Sequence, residues 1–300
     1  MLWIINGLIY GFFTAIYTTF NQHYKINAYL LGIWRGFGIF ALFFPFCFLF
    51  PFPFSLSYWL LLIAQGIMIA VYDSHLFYAS AHYGAGPSSS IMALTAIVTT
   101  MLWWLLTPQD FLILLNNEKN VIVLIFLLLG FTVSYWYMIK SPVSRRLTAY
   151  MLPAIISLSG MSIATKQIAL HGSSVWSSLA YYLTVSTFVS GLLNFYWFCR
   201  QNRWQIRNSL KQTFAPGITK AGFYVVSFSA ILIIAKTLSL RSSPNPGYVT
   251  ALLLTSPLFV FAFNKYNKIP DNISIKAGFS MIAFLIALIL LVSTNASITD

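Results

Sequence analysis

Charge is what this sequence has least of. Of 300 residues only 7% are charged, against about a quarter in an ordinary soluble domain, and only five are acidic. A soluble fold this size would have almost nothing to cover its surface, so the composition excludes a soluble enzyme and a disordered chain. Cysteine is nearly absent too. Cys47 and Cys199 are the only two, which excludes a disulfide scaffold. The span order below puts them near opposite membrane faces, too far apart to bridge. No P-loop, nucleophile elbow, catalytic carboxylate pair or zinc signature occurs, so neither a self-contained ATP-driven pump nor an enzyme is expected. The first apolar run, Trp3–Phe20, has no basic residues before it and is long enough to span, so it reads as a membrane helix and not as a cleavable signal peptide.

What is present is apolar: 59% of the chain, with 27 Phe, 17 Tyr and 9 Trp. A span needs about 20 such residues. Ten candidates follow: Trp3–Phe20, Ala28–Leu49, Ser57–Ala81, Pro87–Thr107, Val121–Lys140, Thr148–Leu170, Ser174–Phe198, Gly217–Leu238, Pro246–Asn264 and Ser274–Val292. The runs are too long and too little alternating for barrel strands. The expected fold is all-α: a polytopic membrane protein with ten transmembrane helices as two inverted five-helix repeats. The repeats are residues 1–140 and 147–300, with the seam at Ser141–Arg146. An odd number of spans per repeat inverts the second against the first. Sliding the chain by 161 positions lays Gly86 on Gly247, Ser89 on Thr250, Ile91 on Leu252 and Thr95 on Ser256, each stretch following a Gly/Pro break.

These stretches carry a resemblance. Phe77–Val98 (FYASAHYGAGPSSSIMALTAIV) resembles the third-to-fourth helix junction of EamA-like permeases, in the drug/metabolite transporter superfamily. Gly247–Phe259 (GYVTALLLTSPLF) resembles the ninth helix of that family, and Arg35 in Ile33–Gly38 resembles an arginine of its second helix. Ala96 departs from the pattern, standing where many members have proline. The resemblance implies a ten-helix transporter with a central cavity between its repeats, and names no substrate.

The net charge of +12 could suggest nucleic acid, but the basic residues lie between apolar runs, as in cytoplasmic loops. With the N-terminus on face A, twelve Lys and Arg fall on face B and two, Lys119 and Arg241, on face A. The positive-inside rule therefore puts face B inside and both termini outside, whereas many relatives are thought to have cytoplasmic termini. Arg200, Arg203, Arg207 and Lys211 share one helical face beside an apolar stripe of Ile206, Leu210 and Phe214. That pattern fits an interfacial helix or an ordinary basic loop.

Ionisable groups inside spans are costly and mark function. Arg35 and Asp73 lie about 10–12 Å deep from the same face and are expected to pair. Lys166 and Lys236 lie near the opposite face, either snorkelling to headgroups or drawing in an anion. Gln65, Tyr72 and Asp73 share a broad face of the third span, and Tyr17, Asn21, Tyr181, Tyr182 and Asn194 are further polar candidates. His75 and His82 have no carboxylate or thiol companions, so no metal is expected, nor any other cofactor. The candidate substrate or coupling residues are Arg35, Asp73, Lys166, Lys236, Tyr72, Gln65 and Tyr181, with Asp73 first as a protonation site. The expected function is secondary transport of a small anionic or zwitterionic metabolite across the plasma (inner) membrane by alternating access. Its partners are the solute, the bilayer and a coupling proton or ion, not nucleic acid. A non-transporting membrane scaffold and a lipid-modifying enzyme are the alternatives.

Overall fold

A computed structural model describes residues 2–53, 55–92, 94–115 and 145–269, with scattered positions between 118 and 133 and between 280 and 287. The expected spans Val121–Lys140 and Ser274–Val292 and the seam Ser141–Arg146 lie largely outside the described residues. Among the described residues the chain is all-helical, with no strand.

The helices are α1 (Leu2–Tyr24), α2 (Ala28–Phe43), α3 (Leu56–Tyr83), α4 (Ala85–Ile91), α5 (Leu94–Leu106), α6 (Pro108–Leu115), α7 (Arg145–His171), α8 (Val175–Tyr181), α9 (Thr187–Gln201), α10 (Ile206–Thr213), α11 (Pro216–Ser242), α12 (Pro246–Leu252) and α13 (Ser256–Tyr266). Among the described residues seven helical runs are long and apolar enough to cross a membrane: Leu2–Tyr24, Ala28–Leu49, Leu56–Tyr83, Ala85–Leu106, Arg145–His171, Pro216–Ser242 and Pro246–Tyr266. The protein thus has the architecture of a multi-pass membrane protein. The expected span Ser174–Phe198 is not among the seven. It is helical from Val175 on, capped by Ser174, with α8 joining α9 through a π-turn at Tyr182–Ser186. Its Thr184, Ser186, Thr187, Ser190 and Asn194 are all buried, so these polar groups face protein and lower the run's hydropathy.

Local chemistry sets the ends. Asn27 caps α2 by accepting from the Tyr29 amide at 2.9 Å. The α-helix stops at Phe43, and a 3-10 turn carries the run to Leu49. Pro45 in that turn has no amide hydrogen to continue the ladder. Gly84, at φ +92°, turns the chain between α3 and α4 in a conformation that a side chain would strain.

Two spans are broken. The run from Ala85 divides at Met92, and the run from Pro246 divides through a 3-10 turn at Leu253–Thr255. Each begins with a seven-residue helix, and the 161-residue offset lays α4 on α12 end to end. Pro257, which lacks an amide hydrogen, suits the second break. Its counterpart under that offset is Ala96, yet the first break falls at the same place.

Packing pairs α3 with α7 and α1 with α11 most extensively, then α2 with α9, α2 with α11 and α5 with α12. α2 and α9 meet at Gly36 and Gly191. A Cβ on Gly36 would stand 2.4 Å from the Gly191 Cα, so only glycine allows this approach. Cross-links sort the helix ends into two sets. At one end Asn27 donates to Gln201 at 3.1 Å, Gln22 accepts from the Ala85 amide at 2.7 Å, and Trp34 donates to the Thr213 carbonyl at 2.9 Å. At the other, Ser239 donates to the Trp3 carbonyl at 2.7 Å and Tyr181 donates to the Pro51 carbonyl at 3.2 Å.

Candidate functional site

The polar residues that hydropathy would put in lipid meet inside the bundle. Arg35 on α2 forms a salt bridge with Asp73 on α3, and both are almost fully buried. The guanidinium engages Asp73 Oδ2 through Nη1. The other carboxylate oxygen accepts from the Tyr17 hydroxyl of α1 at 2.9 Å. The Arg35 guanidinium also stands 5.3 Å from the centre of the Tyr17 ring. Three helices are thereby tied at one point, and both Asp73 oxygens are occupied.

A second group lies towards the other end of the bundle. Gln65 on α3 donates to the Thr165 hydroxyl of α7 at 2.8 Å and to the Tyr182 hydroxyl at 3.0 Å. The Tyr182 hydroxyl leaves the chain at the π-turn, where one extra residue per turn re-aims side chains. Tyr10, Tyr72 and Tyr182 are buried within electrostatic reach of Arg35.

Lys236 on α11 completes the cluster. It is 1% exposed, 5.9 Å from the Tyr10 ring centre and within electrostatic reach of Arg35. Its ammonium has no hydrogen-bond partner among the described residues. Arg35 Nε and Gln65 Oε1 are likewise buried without one. These three unsatisfied groups, donors and an acceptor, face a core whose sole carboxylate among the described residues, Asp73, is already engaged twice. A buried polar group without a partner is destabilised by about 1–3 kcal/mol, more when charged. Such a cluster costs stability and is suited to a ligand that completes it.

Two of the sequence candidates sit elsewhere. The Lys166 ammonium binds the carbonyls of Leu240, at 3.4 Å, and Ser243, and stands 5.3 Å from the Trp103 ring centre. It caps the C-terminus of α11, where the helix dipole favours a cation. It neither snorkels nor joins Lys236. Tyr181 donates to the carbonyls of Pro51, at 3.2 Å, and Phe50, at 3.4 Å. Its acceptor Pro51 lines a cleft of about 460 Å³ at that end, together with Tyr58, His171, Ser173 and Ser177 among others. The structure therefore brings together Arg35, Asp73, Tyr72 and Lys236, links Gln65 to them through Tyr182, and separates Lys166 and Tyr181 from them.

The His75 ring lies tilted against Tyr150, its centre 5.0 Å away, and His82 stacks on Tyr78 at 4.0 Å, their Nδ1 atoms paired with carbonyls of their own helix. Among the described residues no three His, Cys, Asp or Glu side chains converge as a metal site would need. Tyr10 and Thr165 were not singled out by the sequence. The seven-residue spacing that puts Tyr10 on the same face of α1 as Tyr17 was the available signal.

No family model and no curated protein matches this chain.

Proposed function

We propose that the protein is a secondary transporter that carries a small anionic or zwitterionic solute across the membrane by alternating access. One observation carries this reading: with Asp73, the one buried carboxylate among the described residues, held by Arg35 and Tyr17, the fully buried Lys236 has no hydrogen-bond partner and no counter-charge of its own. A carboxylate or phosphate that enters and leaves would compensate it in passing. A structural ion pair would serve stability better, and a scaffold has no use for an unmatched charge at its core.

The architecture supports the same reading. Exchange α1 with α7, α2 with the α8–α9 run, α3 with α11, and the α4–α5 run with α12–α13. The α1–α11 packing then becomes α7–α3, α2–α11 becomes α9–α3, and α1–α3 becomes α7–α11, all of which occur. The α2–α9 contact maps onto itself and would lie on the axis, and α5–α12 becomes α13–α4, which also occurs. This is the pattern of two inverted repeats, and with the two expected spans outside the described residues it gives ten helices. The EamA-like resemblance of the two broken spans agrees with it. In this reading the repeats rock about the Arg35–Asp73–Lys236 cluster. A proton or ion gradient, or exchange, supplies the driving force.

Uptake into proteoliposomes of the full-length protein tests the proposal, with amino acids, organic anions, phosphorylated metabolites and cationic drugs as solutes. Saturable uptake of anionic or zwitterionic members is expected. Transport of cations alone, or of nothing, would refute it.

A further inference from the structure

The segment between α9 and α11 takes no part in the buried cluster. The chain leaves α9 at Gln201 and turns back sharply: Arg203 and Trp204 have φ +51° and +61°, and the Trp204 amide donates to the Cys199 carbonyl at 2.8 Å. α10 is thereby folded against the end of the bundle instead of extending α9 into water.

Successive residues of an α-helix are turned by about 100°, and around α10 that rotation separates four strips. Ser209 and Thr213 are buried against the bundle. The Thr213 carbonyl accepts from Trp34 of α2, and the Ser209 hydroxyl accepts from Asn202 at 3.1 Å. The next strip is apolar and open: Ile206 is 52%, Leu210 43% and Phe214 64% exposed. Arg207 and Lys211 follow, both exposed, with Arg200 and Arg203 leading into the same row. Asn208 and Gln212 complete the circle. Bundle, hydrocarbon, cations and water-loving amides thus succeed one another. A helix lying flat at the bilayer surface beside a transmembrane bundle requires this order.

Aromatic contacts set its height. Trp204 lies edge-on to Tyr196 at 5.4 Å, and Phe214 edge-on to Trp34 at 5.8 Å, with Trp34 also 5.6 Å from Phe223. Clustered Trp and Tyr favour the boundary between headgroups and acyl chains. Among the described residues none of these cations has a carboxylate in salt-bridge contact, and no acidic residue occurs in the sequence between Glu118 and Asp271. A cleft of about 420 Å³ beside the row is lined by Arg203, Lys211, Asn202, Asn208 and Gln212, all able to donate to phosphate oxygens.

We propose that α10 is an interfacial helix that binds anionic phospholipid, its apolar strip among the acyl chains and Arg200, Arg203, Arg207 and Lys211 on the phosphate groups. The exposed apolar strip beside the cations selects a lipid over a soluble anion, which would leave that strip in water. Through Trp34 and Thr213 the bound lipid is linked to α2, the helix that carries Arg35. The lipid site does not depend on the transport reading.

The test uses the full-length protein in nanodiscs of phosphatidylcholine, alone or mixed with phosphatidylglycerol. Hydrogen exchange of residues 206–213 and native mass spectrometry of retained lipid are the readouts. Slower exchange with phosphatidylglycerol and its preferential retention are expected. Each basic side chain at an anionic surface strengthens binding by about fivefold, so Arg207→Gln with Lys211→Gln should lower retention roughly 25-fold. Phe214→Ser should also lower retention, although it removes no charge, and unchanged exchange in α9 and α11 certifies the fold of each variant. Equal exchange in both lipids would overturn the proposal. So would equal protection by soluble glycerol phosphate in phosphatidylcholine discs, or an equal loss from Lys265→Gln with Lys268→Gln.

Discussion

Asp73 holds two partners, Arg35 and Tyr17, and the consequences of removing each differ. Tyr17→Phe deletes one hydrogen bond to a charged acceptor and should cost about 1.5–3 kcal/mol. Asp73→Asn leaves Arg35 buried without its counter-charge and should cost about 3–5 kcal/mol. Replacing both members, Arg35→Met with Asp73→Leu, should be less destabilising than Asp73→Asn alone. Thermal unfolding in detergent, followed by tryptophan fluorescence, ranks the three. If Asp73 is also the coupling protonation site, a folded Asp73→Asn protein should lose the pH dependence of uptake. Unchanged uptake and pH dependence would remove that role.

The Arg35–Asp73 pair was legible because depth can be counted along a helix, and both residues lie at one depth. Azimuth cannot be counted in that way. Lys166 and Lys236 have similar depths, yet one caps α11 and the other enters the core of the bundle. Tyr181 and Tyr182 are neighbours, but about 100° of helical rotation sends one hydroxyl to the Pro51 carbonyl and the other to Gln65.

Among elements, hydropathy located the spans that meet lipid and missed what protein contacts decide. The run Val175–Gln201 carries buried hydroxyls and Asn194 because it is enclosed by α2 and α3. Its π-turn has no signature in composition. The broken spans show a related limit. Pro257 announces the break before α13, whereas Ala96 announces nothing at the matching place in α5. There the Thr95 amide turns back to the Met92 carbonyl at 3.0 Å, and the Thr95 carbonyl accepts from Ser159 of α7 at 3.4 Å. Tertiary contact can therefore hold such a break without proline. Pro257→Ala should keep its 3-10 turn, with a stability change of only about 0.4–1 kcal/mol. Exchange protection at 253–255 that rises to that of a continuous helix would contradict this. The α2–α9 crossing should tolerate far less. Gly36→Val must push the helix backbones apart and should destabilise by about 1–3 kcal/mol or more, read from the same unfolding curves.

On the scale of the whole molecule, the proposed repeats differ chiefly by one insertion. The offset between matching positions is 147 from Ala28 to Val175 and 161 from Ala85 to Pro246, and the extra length falls where α10 lies. The proposed orientation puts α10 and the charge-rich end inside, with both termini outside. Reporter fusions at the C-terminus that are active only in the cytoplasm would reverse it. The charge count could suggest which end is cytoplasmic, but not that one buried cation lacks a partner. That depends on how the helices pack, and the transport reading rests on it. The most direct measurement is uptake by the Lys236→Gln protein, reconstituted beside the unaltered protein and Lys166→Gln, with anionic and neutral analogues of one transported solute. The account predicts that Lys236→Gln loses the preference for the anion and raises its KM, while Lys166→Gln is less stable but keeps the preference. Anion preference and KM unchanged in a folded Lys236→Gln protein would contradict it.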